Sequence, residues 1–303
     1  MRRQAVRVSV PATSANLGPG FDCLGLALGL LNTVELAAAG NGVTIEIRGE
    51  GADSLPRDES NAVVRAALAV FERAGERPPG LHFSMENRIP PGSGLGSSAA
   101  ALVGGVVAAN ALLGGPLSAE EMLRLAIRLE GHPDNVTAAL LGGLTVSSQG
   151  PCGLITRRVE VADMQVVIAL PAIRLSTGEQ RAALPRQVPL KEAAANIGRA
   201  ALVIEALRTG DFDLLGEAMC DHLHEPTRRK AITGYDEAVR AARNAGAAAV
   251  AISGAGPSLI AFAAGGHEAI GEAMAEAFRE ATGKPARVRV LPVEQHGAQV
   301  VTL

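Results

Sequence analysis

The run PPGSGLGSSAA, from Pro90 to Ala100, has the residue types needed to hold an anion. Its glycines let backbone approach a ligand and turn sharply. A helix starting behind them would offer its free N–H groups and positive dipole end to phosphate. Ser97 and Ser98 add hydroxyls for phosphate or metal. The plainer alternative is a tight turn capped by serine. No Gly-Lys-Ser/Thr follows, so this is not a Walker-type loop, and Gly92-x-Gly94-x-Gly96 lacks the dinucleotide spacing.

Further along lie Glu130 and the segment His132-Pro-Asp-Asn135. A carboxylate beside a phosphate site suits magnesium, which prefers hard oxygen donors. Taken alone, LEGHPDN reads equally as a helix end with a turn. Asn16, Asp22 and the Gly18-Pro-Gly20 turn form a polar loop, where Asn and Asp also satisfy their own backbone. Arg181 and Arg228 could grip a carboxylate through paired hydrogen bonds, although each alone reads as a solvated charge. SGAGPSLIAF, 253–262, is a hairpin signal that could also line a phosphate pocket. His222, His224 and Glu225 are rejected as a metal site, because residues two apart on the expected helix point apart.

Composition narrows the classes. The 303 residues allow one large or two medium domains, and 48% hydrophobic with 19% charged residues excludes wholesale disorder. Aromatics are 2%, which removes stacking platforms for single-stranded nucleic acid. A net charge of −3 leaves no basic field for a phosphodiester backbone. Cys23, Cys152 and Cys220 are too few and too scattered for a disulfide framework and fit a reducing cytosol. Arg2 and Arg3 resemble the start of a leader, but Arg7, Ser9 and Pro11 interrupt any apolar run. The uncharged stretch 89–119 is broken by Pro90, Pro91, Asn110 and Pro116, so a buried helix is expected rather than a membrane span.

These groups must be positioned by regular elements. Alternation predicts strands at 5–10, 23–38, 43–49 and 81–89. A 3.6-residue period predicts a helix over 61–74, stopped by Gly75 and Pro78-Pro79. A small-residue helix follows the Gly-rich loop, and Ser118-Ala-Glu-Glu signals a capping box. Beyond residue 150 the pattern is strand 164–171, helices at 191–208, 211–222, 233–245 and 267–282, a strand pair around 253–258, and a last strand at 286–293. The expectation is two α+β halves joined near 150–160.

Together, PGSGLGSSAA, VPATSANLGPGFDCLGLAL, LEGHPDNV, RLSTGEQR, EPTRRKAITGY and ISGAGPS resemble the motifs of the GHMP small-molecule kinases, and within them the homoserine kinase family. The resemblance spans nearly the whole chain, and the closing HGAQV is similar to that family's C-terminal strand. It implies an α+β fold in two domains, with the active site between them. Residues 1–155 would be the ATP-binding domain, like the second domain of ribosomal protein S5, and 156–303 a ferredoxin-like domain.

The implied activity is ATP-dependent phosphorylation of L-homoserine to O-phospho-L-homoserine in threonine biosynthesis, with Mg2+. Alternatives are another GHMP kinase of mevalonate type, or an inactive binding protein of this fold. By position, Pro90, Pro91, Gly92, Ser93, Gly94, Leu95, Gly96, Ser97, Ser98, Ala99 and Ala100 would cradle the triphosphate, and Asn61 would lie on the adenine side. Ser98 and Glu130 would be the magnesium ligands. Asn16, Asp22, His132, Asn135, Thr177, Arg181 and Arg228 would form the homoserine pocket, with Asp22 on the amino group and the arginines on the carboxylate. The catalytic set would be Glu130, Ser98, Asn135 and Arg181, with Asp134 not used as a base. The expected partners are small molecules, not nucleic acid or membrane, with a homodimer as one expectation and the cytoplasm as location.

Overall fold

The computed structural model describes residues 4–151 and 153–303; Arg2, Arg3 and Cys152 lie outside the described residues. The first half contains strands β1 (Ala5–Ala15), β2 (Leu24–Ala38), β3 (Gly42–Gly49), β4 (Gly80–Asn87), β5 (Leu144–Gly150) and β6 (Gly153–Val159). Its helices are α1 (Ala62–Ala74), α2 (Ser97–Leu112), α3 (Ala119–Glu130) and α4 (Asp134–Leu141). The second half contains β7 (Gln165–Leu170), β8 (Ala249–Ile252), β9 (Leu259–Phe262), β10 (Arg287–Pro292) and β11 (Gln299–Thr302). Its helices are α5 (Thr177–Ala182), α6 (Leu190–Thr209), α7 (Phe212–Ala218), α8 (Glu225–Arg228), α9 (Tyr235–Asn244) and α10 (His267–Thr282).

Two sheets result. The larger runs β11-β1-β2-β4-β3, with β5 bridging β2 to β6; the smaller runs β10-β7-β9-β8. All pairings are antiparallel except β3 with β4. The sheets divide the chain between β6 and β7, but β11 returns to pair with β1. On that return path the Glu294 N–H donates to the Ala27 carbonyl at 2.9 Å, and the Gly143 N–H to the Glu294 carbonyl at 2.8 Å. The C-terminal strand thus laces the second half to the first.

The helix α2 is buried on every side, which explains its lack of charge without invoking a membrane. Among the described residues no helix is long and apolar enough to cross one. It lies against β1, β2 and α1, and Gly105 makes that approach feasible: a Cβ there would stand 2.1 Å from the Val63 carbonyl oxygen. Local signals hold at several ends. Gly75 closes α1 in the left-handed conformation, and Ser118 with Glu121 forms the reciprocal capping box of α3.

One expected helix is shorter. The 211–222 segment is helical only over Phe212–Ala218, and Met219 leaves it at φ −77°, ψ 67°. His222 and His224 therefore do not sit on a helix. The buried Asp221 carboxylate holds this stretch out of helical register by accepting the His224 and Glu225 N–H groups, each at 2.7 Å. Similarly, Asn135 belongs to the first turn of α4 rather than to a loop end.

Candidate active site

The Gly-rich loop is built by backbone and fastened from three directions. Gly92, Gly94 and Gly96 have φ of +67°, +81° and +67°, a region where a side chain is strained. At Gly96 a Cβ would also stand 1.9 Å from Thr13 Oγ1. Ser93 is buried inside the loop, its Oγ donating to the Pro90 carbonyl at 2.6 Å. The Thr13 N–H donates to the Leu95 carbonyl, and Ser253 Oγ to the Gly94 carbonyl at 2.7 Å. Gly96 is the N-cap of α2 and makes no side-chain cap, so the first-turn N–H groups keep their capacity for an anion. The side chains of Leu95, Ala99 and Ala100 turn into the core and anchor the loop.

At the same helix end, Ser98 Oγ donates to Glu130 Oε2 at 2.7 Å. Glu130 is the last residue of α3, and the left-handed Gly131 turns the chain toward α4. Along that turn His132 Nδ1 lies 2.5 Å from Asp134 Oδ1, and His132 Nε2 lies 3.9 Å from Glu130. Burial pulls the His132 pKa down, but the Asp134 hydrogen bond and charge, with Glu130, outweigh it and leave the group raised. Asn135 Oδ1 accepts from Thr13 Oγ1 at 2.7 Å, tying α4 to β1.

Opposite lies the loop after β1. Asn16, Leu17 and Asp22 all have positive φ, at 73°, 50° and 56°. Such strain persists only where surroundings enforce it. Leu17 is fully buried, and Asn16 ties the loop together: its Oδ1 accepts from the Asp22 N–H at 3.0 Å and its Nδ2 donates to the Gly254 carbonyl at 2.8 Å. Arg181, on α5, grips Asp22 with both Nη atoms at 2.9 and 2.6 Å. This pair, foremost its hydrogen bonds, raises the Arg181 pKa further.

Arg228 is 2% exposed, and burial pushes its pKa down. Its Nη1 donates to the Gly254 carbonyl at 2.9 Å. The Phe21 ring brings the two arginines together, with guanidinium carbons 5.6 Å (Arg181) and 5.4 Å (Arg228) from its centroid.

A cavity of about 100 Å³ joins these parts. Asn16, Asp22, Gly92–Gly94, Gly96–Ser98, Glu130, His132, Asn135, Thr177, Arg181 and Arg228 line it, together with Asp134, Gly254 and Ala255. Asn61 stands outside it: its Oδ1 caps α1 through the Val63 N–H, and its Nδ2 donates to the Pro56 carbonyl. Pro90 and Pro91 border a second cleft, of about 630 Å³, with Leu170, Ile173 and Leu175. Sequence reasoning missed Thr13, Phe21 and His224. Phe21 had a signal, being one of only six phenylalanines and adjacent to Asp22; Thr13 had none, and His224 drew notice only as part of the rejected metal site.

The family pattern described as GHMP kinases N terminal domain matches residues 61–143, and GHMP kinases C terminal matches 203–281. A homoserine kinase of Moorella thermoacetica is 48% identical over 295 residues, covering 97% of this chain and 99% of that protein. The chain belongs to the homoserine kinase family of GHMP kinases. The crystal structure of homoserine kinase from Cytophaga hutchinsonii superposes with a TM-score of 0.89 at 34% identity, over 99% of this chain and 98% of the other. The L. major mevalonate kinase in complex with R-mevalonate superposes at 0.70 with 19% identity, over 97% and 96% of the two chains, and shares the fold. The two-domain GHMP architecture expected from the motifs is the one this family has.

Proposed function

We propose that this chain transfers the γ-phosphoryl group of ATP to the hydroxyl of L-homoserine, giving O-phospho-L-homoserine and ADP, a step toward threonine. The observation that carries this is one small cavity with an anion loop on one wall and a carboxylate with two arginines on the other. A zwitterion needs that combination, one anion for its amine and paired donors for its carboxylate. Arg228 lines the cavity with its charge buried, and its Nε has no hydrogen-bond partner among the described residues. Asp22 is the counter-charge for the amine.

The donor set near α2 also fits magnesium. Ser98 Oγ and the Glu130 carboxylate are hard oxygens already side by side, and phosphate oxygens and water complete such a shell. When bound, the ion supplies neutralisation of phosphate charge. The chain's own work is positioning. The α2 N-terminus and loop amides hold the triphosphate, and Asp22 with the arginines orients the acceptor. The homoserine oxygen forms the new P–O bond as the bond from phosphorus to the ADP oxygen breaks, and the hydroxyl proton passes to water. A loose transition state asks little of a base. Asp134 is assigned to orienting His132 and Asn135, since its Oδ1 faces His132 Nδ1, the Asn135 N–H and Asn135 Nδ2. The cleft beside Pro90 and Pro91, lined by Leu170, Ile173 and Leu175 with Glu50, Arg174 and Arg287, is the proposed seat of the nucleoside.

Free thiols at Cys23 and Cys220 support a cytoplasmic setting. The exposed α6 side chains Leu190, Ile197 and Leu202 are the proposed contact between two copies, tested by the solution mass of Ile197→Glu. The activity is tested by a coupled kinase assay over homoserine, serine, mevalonate and galactose. Highest kcat/KM for homoserine is expected; a higher value for mevalonate or a sugar rejects the reading.

A further inference from the structure

His224 is fully buried beside the acceptor side of the cavity, and no motif assigns it a role there. Its ring stacks on Phe21, with centroids 5.2 Å apart and planes at 27°. Nε2 lies 2.8 Å from the Gly18 carbonyl oxygen, and Nδ1 lies 3.2 Å from Arg228 Nη1. These partners fix the tautomer. A carbonyl has no proton to give, so Nε2 carries the hydrogen; a guanidinium has no lone pair to offer, so Nδ1 must be bare. Only the neutral Nε2–H imidazole satisfies both contacts.

The surroundings agree. Burial, the largest influence, lowers the His224 pKa, and the Arg228 charge acts the same way, against Asp221 and Asp22. Asp221 Oδ2 is 3.6 Å from Nε2, but that oxygen already accepts the His224 and Glu225 N–H groups. The neighbouring carbonyl is held too: Asn196 Nδ2 donates to the Pro19 carbonyl at 3.1 Å and to Asp221 Oδ1 at 2.8 Å.

We propose that His224 is a positioning residue for the transfer, clamping the Arg228 guanidinium to the Gly18 carbonyl so that the arginine and the Asp22-bearing loop hold one fixed geometry toward the acceptor. The inference rests on the reading of Arg228 as the carboxylate partner. Arg228 Nη1 is engaged by both His224 and the Gly254 carbonyl, which fixes the plane of the fork. Gly18 is left-handed, at φ +68°, and begins the turn that delivers Asp22. One imidazole therefore joins the two charges that a zwitterionic acceptor requires.

The test is steady-state kinetics and thermal melting of His224→Leu, His224→Gln and Arg228→Lys. Leucine fills the space without either hydrogen bond, whereas the glutamine amide offers an N–H for Gly18 and an oxygen for Arg228. His224→Leu is expected to raise homoserine KM about tenfold, the scale of one hydrogen bond to a charged group. The KM for ATP should stay near wild type, and glutamine should restore most of the homoserine KM. In the Arg228→Lys background His224→Leu should add little, because its partner is already gone. Equal loss for both substrates, or glutamine behaving as leucine, overturns the proposal and leaves His224 as packing. If Arg228→Lys raises homoserine KM but His224→Leu does not, the inference fails alone. If Arg228→Lys leaves homoserine KM unchanged, the carboxylate reading fails and the inference with it.

Discussion

The two walls of the cavity are made in opposite ways. The proposed phosphate wall comes mainly from one contiguous run, Gly92 to Ser98, plus Glu130 one helix later. Backbone conformation shapes it: three left-handed glycines, an open helix N-terminus, and hydrogen bonds between main-chain atoms. The acceptor wall draws Asp22, Arg181 and Arg228 from three separate elements, and side chains hold it. The first wall is rigid because its geometry is intrinsic to the chain there. The second depends on Phe21, which lies against both guanidinium groups, and on His224, which ties Arg228 to the loop that carries Asp22. On the proposed function, holding the triphosphate needs few chain-specific side chains, whereas choosing the acceptor needs several.

The largest expected effect probes the phosphate wall. Glu130→Gln should lower kcat about 1,000-fold, as removal of a charge at the transferring group does, with homoserine affinity little changed and the fold intact by melting. On the acceptor wall, Arg228→Ala should weaken calorimetric homoserine binding by about 3 kcal/mol, because a buried charge partner is lost, while ATP binding barely moves. Arg181→Ala should cost less, about 1 kcal/mol, since its side chain is 43% exposed and it grips Asp22 from the solvent side. Equal losses for the two arginines would break the distinction between a buried and an exposed clamp. Phe21→Leu should weaken homoserine binding by about 0.5–1 kcal/mol through the lost cation–π contacts, and leave ATP affinity unchanged.

The smallest effect concerns stability. Burial pushes the Glu225 carboxyl up to about 7, where it accepts the Ile252 N–H at 2.7 Å. The folded protein thus holds a proton that the unfolded chain releases at ordinary carboxylate pH. That contribution is full at low pH and is lost as pH rises through about 7. Glu225→Gln should remove this slope, so that Tm of the variant relative to wild type rises between about pH 5 and about pH 8. A constant difference across that range would contradict it.

The amino-acid sequence by itself determined the Gly-rich loop and the helix behind it, most of the elements and the family. The reasons are local: glycine spacing, the Ser118 capping box and strand alternation act over a few residues, and neighbours in the chain remain neighbours in the site. Arg181 and Arg228 were legible as charges, but nothing nearby distinguished them from surface arginines. Tertiary structure made one a partner of Asp22 and buried the other against Gly254. It also gave Asn61 to helix capping, shortened the helix before His222, and fixed His224 as a neutral bridge. Those outcomes follow from burial and from partners far along the chain, as with Arg181 and Asp22, 159 positions apart. A side chain's role depends on which groups remain to satisfy it once water is excluded, and only the closed fold specifies those groups.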